Sequence, residues 1–242
     1  MSKLSNFGFT KVNTNKKTKL VQKVFSDVAK NYDLMNNIMS LGTHKLWKKR
    51  FVELINPQGL EKIIDVGSGS GDIAQIILSK KFTGELHLID LNNRMLEIAK
   101  KSIKKRNVFF HIQNAENLKF KDDIFDKYII SFCLRNITDI KKSIKEAKRV
   151  LKPGGIYYCL EFSNPGSAFT QKIYKKYKSF FLPLMGKLIA NNKNAYQYLH
   201  ESIELFPTQE KLKQKLIENG FEKVSYIDLF DGIVSIHYGY NI

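Results

Sequence analysis

From Lys62 to Asp72 the chain reads Lys-Ile-Ile-Asp-Val-Gly-Ser-Gly-Ser-Gly-Asp, and Leu88-Ile89-Asp90 answers it, with Asp90 nineteen residues beyond Gly71. An apolar run ending in alternate glycines describes a buried strand whose tip turns sharply. Gly67, Gly69 and Gly71 let the backbone approach a ligand closely, which a Cβ would obstruct. An acid closing the next strand can accept hydrogen bonds from two vicinal ribose hydroxyls. A chain with this feature is held to an α/β architecture with a nucleotide-type pocket at its strand tips.

The acids around the glycines narrow the ligand. A dinucleotide loop needs its third glycine where this chain has Asp72, and it sets pyrophosphate on the helix N-terminus, where Asp72 would repel it. With Asp65 on the other flank, a cationic, phosphate-free nucleoside fits better. S-adenosylmethionine, an adenosine joined to a sulfonium and an amino acid, has that chemistry. The loop favours methyl transfer over hydride transfer.

Strand and helix patterns alternate through the middle of the chain: strands at 62–66, 85–90, 108–113, 126–132 and 155–161, helices at 72–81, 93–105 and 139–151. Such alternation predicts a mainly parallel sheet covered by helices on both faces, with the pocket where the strand order reverses. Before it, Leu20, Val24, Val28, Tyr32, Met35, Ile38 and Met39 recur at helical spacing, a helical cap over 20–55. Residues 1–19 read as polar and loosely packed. Lys152-Pro153-Gly154-Gly155 reads as a helix stop and tight reversal. Residues 165–206 form an aromatic, basic, amphipathic insertion, and 207–242 a closing helix at 208–219 with strands at 222–229 and 232–238. The whole, 1–242, is expected to be one domain.

Composition excludes several classes. The formal charge is +17, yet only five of the 40 basic residues are arginines, so sequence-reading nucleic-acid binding is poorly supported. Attraction to an anionic membrane surface and a charge excess without a specific partner stay open. No terminal run is apolar enough for a secretory signal or a membrane span, so a cytoplasmic protein is expected. Cys133 and Cys159 sit in apolar runs as reduced core thiols, and the five histidines lack zinc-ligand spacing.

Several stretches are more specific than the glycine loop. They are Tyr32-Asp33-Leu34-Met35-Asn36-Asn37-Ile38-Met39-Ser40 with Gly42, His44 and Leu46-Trp47-Lys48; Ser131-Phe132-Cys133-Leu134-Arg135-Asn136-Ile137-Thr138-Asp139; and Arg149 to Gly155 with Leu160-Glu161-Phe162-Ser163. The tail adds Tyr196-Gln197-Tyr198-Leu199, Glu201-Ser202-Ile203, Phe206-Pro207 and Gly232-Ile233-Val234 with His237. On these residues the chain, from about Phe7 to Tyr240, resembles the UbiE family of ubiquinone and menaquinone biosynthesis C-methyltransferases. It departs from the family at Ser70, where threonine is usual, at Cys133, often glycine, and at Asn37, usually aspartate.

The resemblance implies a class I, Rossmann-like methyltransferase fold, S-adenosylmethionine as cofactor, no metal, and a prenylated benzoquinol or naphthoquinol as substrate. It also implies site residues. Cofactor contacts fall on Asp65, Gly67, Gly69, Ser70, Gly71, Asp90, Asn114, Ala115 and Ser131. Plainer readings make Asp90 a helix cap and Asn114 a turn residue. C-methylation needs a phenolate to push electron density onto a ring carbon, and a guanidinium beside the ring lowers a phenol pKa from about 10 by roughly 1–3 units. Arg135 is the candidate charge and Asn136 a candidate for fixing a ring oxygen; the plainer reading pairs Arg135 with Glu161 or Asp139. Tyr32 and Asp33 belong to the cap, with Asp33 divided between proton acceptance and helix capping. The segment from Phe169 to Ile189 has apolar faces for a prenyl tail and lysines for an anionic surface, or is an ordinary core helix pair. A homodimer or a quinone-synthesis complex, a methyltransferase for another lipophilic acceptor such as a sterol or phenol, and a basic nucleic-acid-binding protein remain as alternatives.

Overall fold

The structure, a computed structural model, describes residues 4–29, 32–177 and 193–242. Strands β3 (Lys62–Val66), β4 (Glu85–Asp90), β5 (Val108–Ile112), β6 (Phe125–Ser131) and β7 (Leu151–Phe162) run parallel; β9 (Val234–Tyr240) pairs antiparallel with both β7 and β8 (Glu222–Leu229). The strand order is β5-β4-β3-β6-β7-β9-β8. The chain winds outward from β3 to β5 and then crosses back to β6, so the order reverses between β3 and β6. At such a point the helices leave in opposite directions and a crevice opens beyond the strand ends.

Successive strand residues face opposite sides of the sheet, and each side has its own core. Ile63, Leu86, Leu88 and Ile129 pack with helices α3 (His44–Ile55), α4 (Asp72–Ser79) and α5 (Asn93–Ser102). Ile64, Val66, Tyr128 and Ile130 pack with α6 (Ile140–Val150) and α9 (Gln209–Glu218). Phe51, Val52 and Ile55, one stripe of α3, are fully buried, each worth about 1.5–3 kcal/mol of apolar transfer.

Two expectations are corrected. The polar N-terminus is a hairpin, β1 (Leu4–Phe7) and β2 (Thr10–Asn13), turned at Gly8 and running into α1 (Thr14–Val28). Its order comes from distant partners: Phe7 stacks on Tyr198 at 4.5 Å, the Phe9 N–H donates to Glu201 at 3.0 Å, and buried Lys17 donates to the Ile137 carbonyl at 2.8 Å. The Lys152–Gly155 stretch does not reverse the chain. Leu151 already pairs with Phe125 and Ile156 with Lys127, so residues 152–155 bow out as a bulge inside β7. The fully buried Leu151 side chain begins the strand as soon as α6 ends.

Helix α2 (Tyr32–Met39) and α3 form the cap beside the crevice, with α7 (Ala168–Lys176) and α8 (Lys193–Glu204) beyond it. The expected insertion lies partly outside the described residues, which omit 178–192. Among the described residues no helix is long and apolar enough to cross a membrane.

Candidate active site

Two clefts open at the strand-order reversal and share Phe25, Tyr32, Gly67, Gly69, Ser131 and Phe132 in their walls. One runs over the tips of β4 and β5, past Asp90, Asn114 and Ala115. The other runs under the cap, past Asp65, Ser70, Asp72, His44, Lys48 and Arg135.

The glycine loop is shaped by what surrounds it. Gly67 has φ +69°, and a Cβ there would run into the Cys133 side chain. The cysteine at 133 thus packs under the loop, so a side chain at 67 has neither the conformation nor the room. Gly71, at φ +84°, sits where a Cβ would lie 2.8 Å from Ile103 and 3.2 Å from Ala99, so it lets α5 approach the start of α4.

The acids divide their work. Asp90 takes the Gly69 N–H at 2.9 Å on one oxygen and the Asn92 N–H at 2.7 Å on the other. Asn92, not Asp90, caps α5, accepting from the Arg94 and Met95 N–H groups. The Asp90 carboxylate keeps acceptor capacity beyond these bonds, and the residue lines the cleft. Asp65 is 1% exposed, and among the described residues neither carboxylate oxygen has a hydrogen-bond partner. Burial, with Asp90 and Asp72 nearby, raises its pKa to about 8. An orphaned acid under a bare glycine cradle fits a cation. Asp72 is already engaged by the Lys48 ammonium and, at 2.9 Å, by the Ser70 hydroxyl. Burial pushes the Asp72 carboxyl up, but these partners outweigh it and hold the pKa below its ordinary value. Asn114 spends its side-chain oxygen on the Glu116 N–H at 2.9 Å, as a turn residue does, while still lining the cleft.

Phe132, the residue after β6, has φ +50°, a conformation uncommon for a bulky residue. It turns its carbonyl to Arg135, whose Nη1 donates to it at 2.6 Å and to Glu161 Oε1 at 2.7 Å. Both side chains are buried, 6% and 2% exposed, and the guanidinium lies over the Phe162 ring at 5.4 Å. Burial opposes the Arg135 charge, but Glu161 together with Tyr32 and Tyr198 outweighs it, keeping the guanidinium pKa above its ordinary value. The ion pair expected as the plainer reading is therefore present, with Glu161 as the partner; Arg135 Nε is buried without a partner among the described residues.

Asn136 is held elsewhere: its Oδ1 accepts from the Tyr198 hydroxyl at 3.0 Å and its amide donates to Phe132 at 3.4 Å. It lines the cleft that runs past Asp90, not the one under the cap. Tyr32 lines both clefts, and burial raises its pKa. Asp33, one residue on, is exposed and lines neither.

Residue-level reading underrated His44, Lys48 and Tyr198. His44 is 7% exposed, lines the cleft, and has an Nδ1 without a partner among the described residues; burial lowers its pKa to about 4. A lysine at 48 in line with Trp47 and Phe51 on a buried helix face was the available signal for the Asp72 pair.

A sheet of this order, with a glycine loop at its reversal point and an acid closing the next strand, defines the class I S-adenosylmethionine-dependent methyltransferases. Residues 10–241 match the ubiE/COQ5 methyltransferase family, and the chain belongs to it. The ubiquinone/menaquinone biosynthesis C-methyltransferase UbiE of Rickettsia rickettsii (strain Sheila Smith) is 48% identical over 245 residues, covering 98% of each chain. Among solved structures, an S-adenosylmethionine-dependent methyltransferase from Thermotoga maritima superposes with a TM-score of 0.63 at 21% identity, over 92% of this chain and all of that one. A Haemonchus contortus phosphoethanolamine N-methyltransferase bound to S-adenosylmethionine gives 0.58 at 16% identity, over 80% and 51%. At these identities the two structures bear on the fold alone. The protein is an S-adenosylmethionine-dependent C-methyltransferase.

Proposed function

We propose that the protein methylates a ring carbon of a prenylated benzoquinol or naphthoquinol. The observation that carries this reading is the wall shared by the two clefts. It joins the cleft that holds Asp90 to the cleft that holds Asp65, Arg135 and His44, with Tyr32 in the wall of both. The name of the Rickettsia relative supports the same substrate class.

S-adenosylmethionine supplies a methyl group already activated on a sulfonium. Asp90 would accept the ribose hydroxyls on its remaining lone pairs, and Asp65 would compensate the positive charge of the molecule. Gly67, Gly69 and Gly71 give the backbone approach; Ser70, Asn114, Ala115 and Ser131 complete the cradle. On the acceptor side, Arg135 stabilises the quinolate formed when a ring hydroxyl loses its proton, through the guanidinium donor that Glu161 and Phe132 leave unused. Because Glu161 already compensates much of its charge, Arg135 acts more as a fixed hydrogen-bond donor than as a bare cation. The proton leaves through water held at Arg135. His44, neutral with a pKa near 4, orients the ring rather than storing the proton. Tyr32 closes the cap over the ring. Asn136, tied to Tyr198, shapes the Phe132 turn instead of gripping a ring oxygen, and Asp33 serves the first turn of α2.

We read the chain as one catalytic domain working in the cytoplasm, with its +17 charge drawing it to an anionic membrane that holds the lipid substrate. Incubation with methyl-labelled cofactor and reduced prenylated quinols, followed by mass spectrometry, should place the label on a ring carbon. Label on oxygen, or transfer only to unprenylated phenols, would overturn the reading.

A further inference from the structure

Beyond the catalytic cleft lies a second groove of about 850 Å³, between the end of α2, α7, α8 and the turn joining β8 to β9. It is continuous with the cleft, because Met39, Ser40, Trp47, Phe162 and Leu199 belong to the walls of both. The two differ sharply in chemistry. The cleft holds Asp65, Asp72, Lys48 and Arg135, whereas the described residues lining the groove include no charged side chain, in a chain where charged residues make up 26% of the whole. Large apolar side chains stand at its rim instead of folding inward: Leu41 is 71% exposed, Ile173 53% and Phe230 51%. Leu41 does so at φ +49°, a conformation leucine rarely adopts. Its deeper wall is Ile203, Ile233 and Tyr174. An open apolar groove that leads into a charged site matches a ligand with a polar reacting head and a long apolar tail.

We infer that this groove takes the prenyl tail of the quinol while the ring lies in the charged cleft, so that Leu41, Ile173 and Phe230 set which tails are accepted. The inference rests on the quinol reading above, and its test separates the two. Trp47 is the chain's only tryptophan and stands in the shared wall, so its emission reports on the groove. Farnesol, a tail without a quinol head, should change that emission saturably. Ile173→Asp and, separately, Leu41→Asp, both at exposed sites where folding is spared, should weaken the apparent affinity by about tenfold or more. With a quinol ring bearing a long or a short prenyl tail, the ratio of kcat/KM values should favour the long tail in the native protein. That preference should fall by about tenfold in the same variants. In Leu60→Asp, a change at an 85% exposed residue outside the groove, it should stand. No saturable response to farnesol, or variants that titrate like the native protein, overturns the inference. If farnesol behaves as expected while no quinol is methylated by cofactor-bound protein, the groove stands as a prenyl site and the quinol reading falls.

Discussion

The charged clefts and the apolar groove meet at Trp47 and Phe162, yet they solve opposite problems. Around the cofactor site the chain reverses its own bias: Asp65, Asp72, Asp90 and Glu116 line the clefts against Lys48 and Arg135, although lysine and arginine outnumber acids 40 to 23 overall. Next door the described lining has no charge at all. Net charge therefore says little about a site; what matters is which charges the fold carries inside, where low dielectric magnifies each one.

The sharpest way to break this contrast is to disturb the Arg135–Glu161 pair. Removing either partner alone, by Arg135→Ala or Glu161→Ala, leaves a buried charge uncompensated and should lower stability by about 3–5 kcal/mol, read by denaturant unfolding. Replacing both with apolar residues should restore most of that loss while methyl transfer stays abolished. If the single variants are as stable as the native protein, the pair is solvated and the geometry described above is wrong.

On the cofactor side, Asp90→Ala deletes charged acceptors for ribose hydroxyls worth about 1.5–3 kcal/mol each. S-adenosylmethionine affinity should fall by about 100-fold or more in calorimetry, with the fold kept. A change below threefold would assign Asp90 to the loop alone.

Asp65 makes the comparison pH-dependent. Its folded pKa, raised by burial to about 8, lies above that of an unfolded aspartate near 4, so the folded chain holds the proton more tightly in that window. This contribution is full below the unfolded pKa and is lost as pH rises toward 8. The cofactor-free protein should lose thermal stability from pH 5 to 8, and Asp65→Asn should flatten that decline. A variant with the native slope would place the linkage on another group.

The smallest effect tests the supports. Tyr198→Phe removes one neutral hydrogen bond to Asn136 and should destabilise by about 0.5–1.5 kcal/mol, with little change in cofactor affinity. A large loss of turnover would instead give Tyr198 a direct part in holding the ring.

Legibility in the sequence followed the source of order. Strands β3 and β4 lie where their patterns put them, because buried strands bounded by glycine or acid are specified locally; β8 does too, although it is an edge strand with one buried residue, Val224. Asp65 and Asp90 were singled out by the same patterns and Arg135 through the family resemblance, and all three line the two clefts. The hairpin at 4–13 was not readable, since Phe7 and Phe9 are ordered by Tyr198 and Glu201 nearly two hundred residues away. The bulge at 152–155 was hidden too: the same proline and glycines that stop a helix also serve a strand that bows, and only the partner strand decides. The occupation of Asn136 by Tyr198 arises from packing between separate elements, which no local pattern encodes, whereas the Lys48–Asp72 pair left one trace, a lysine on a buried helix face.

Calorimetric titration of S-adenosylmethionine at pH 7, in buffers of different ionisation enthalpy, tests the cation-binding acid most directly. A positive ligand beside Asp65 must drive off the proton that burial retains there, so binding should release a substantial fraction of one proton, and Asp65→Asn should release none. Binding without proton release by the native protein, or no binding at all, contradicts a cofactor site built around that carboxylate.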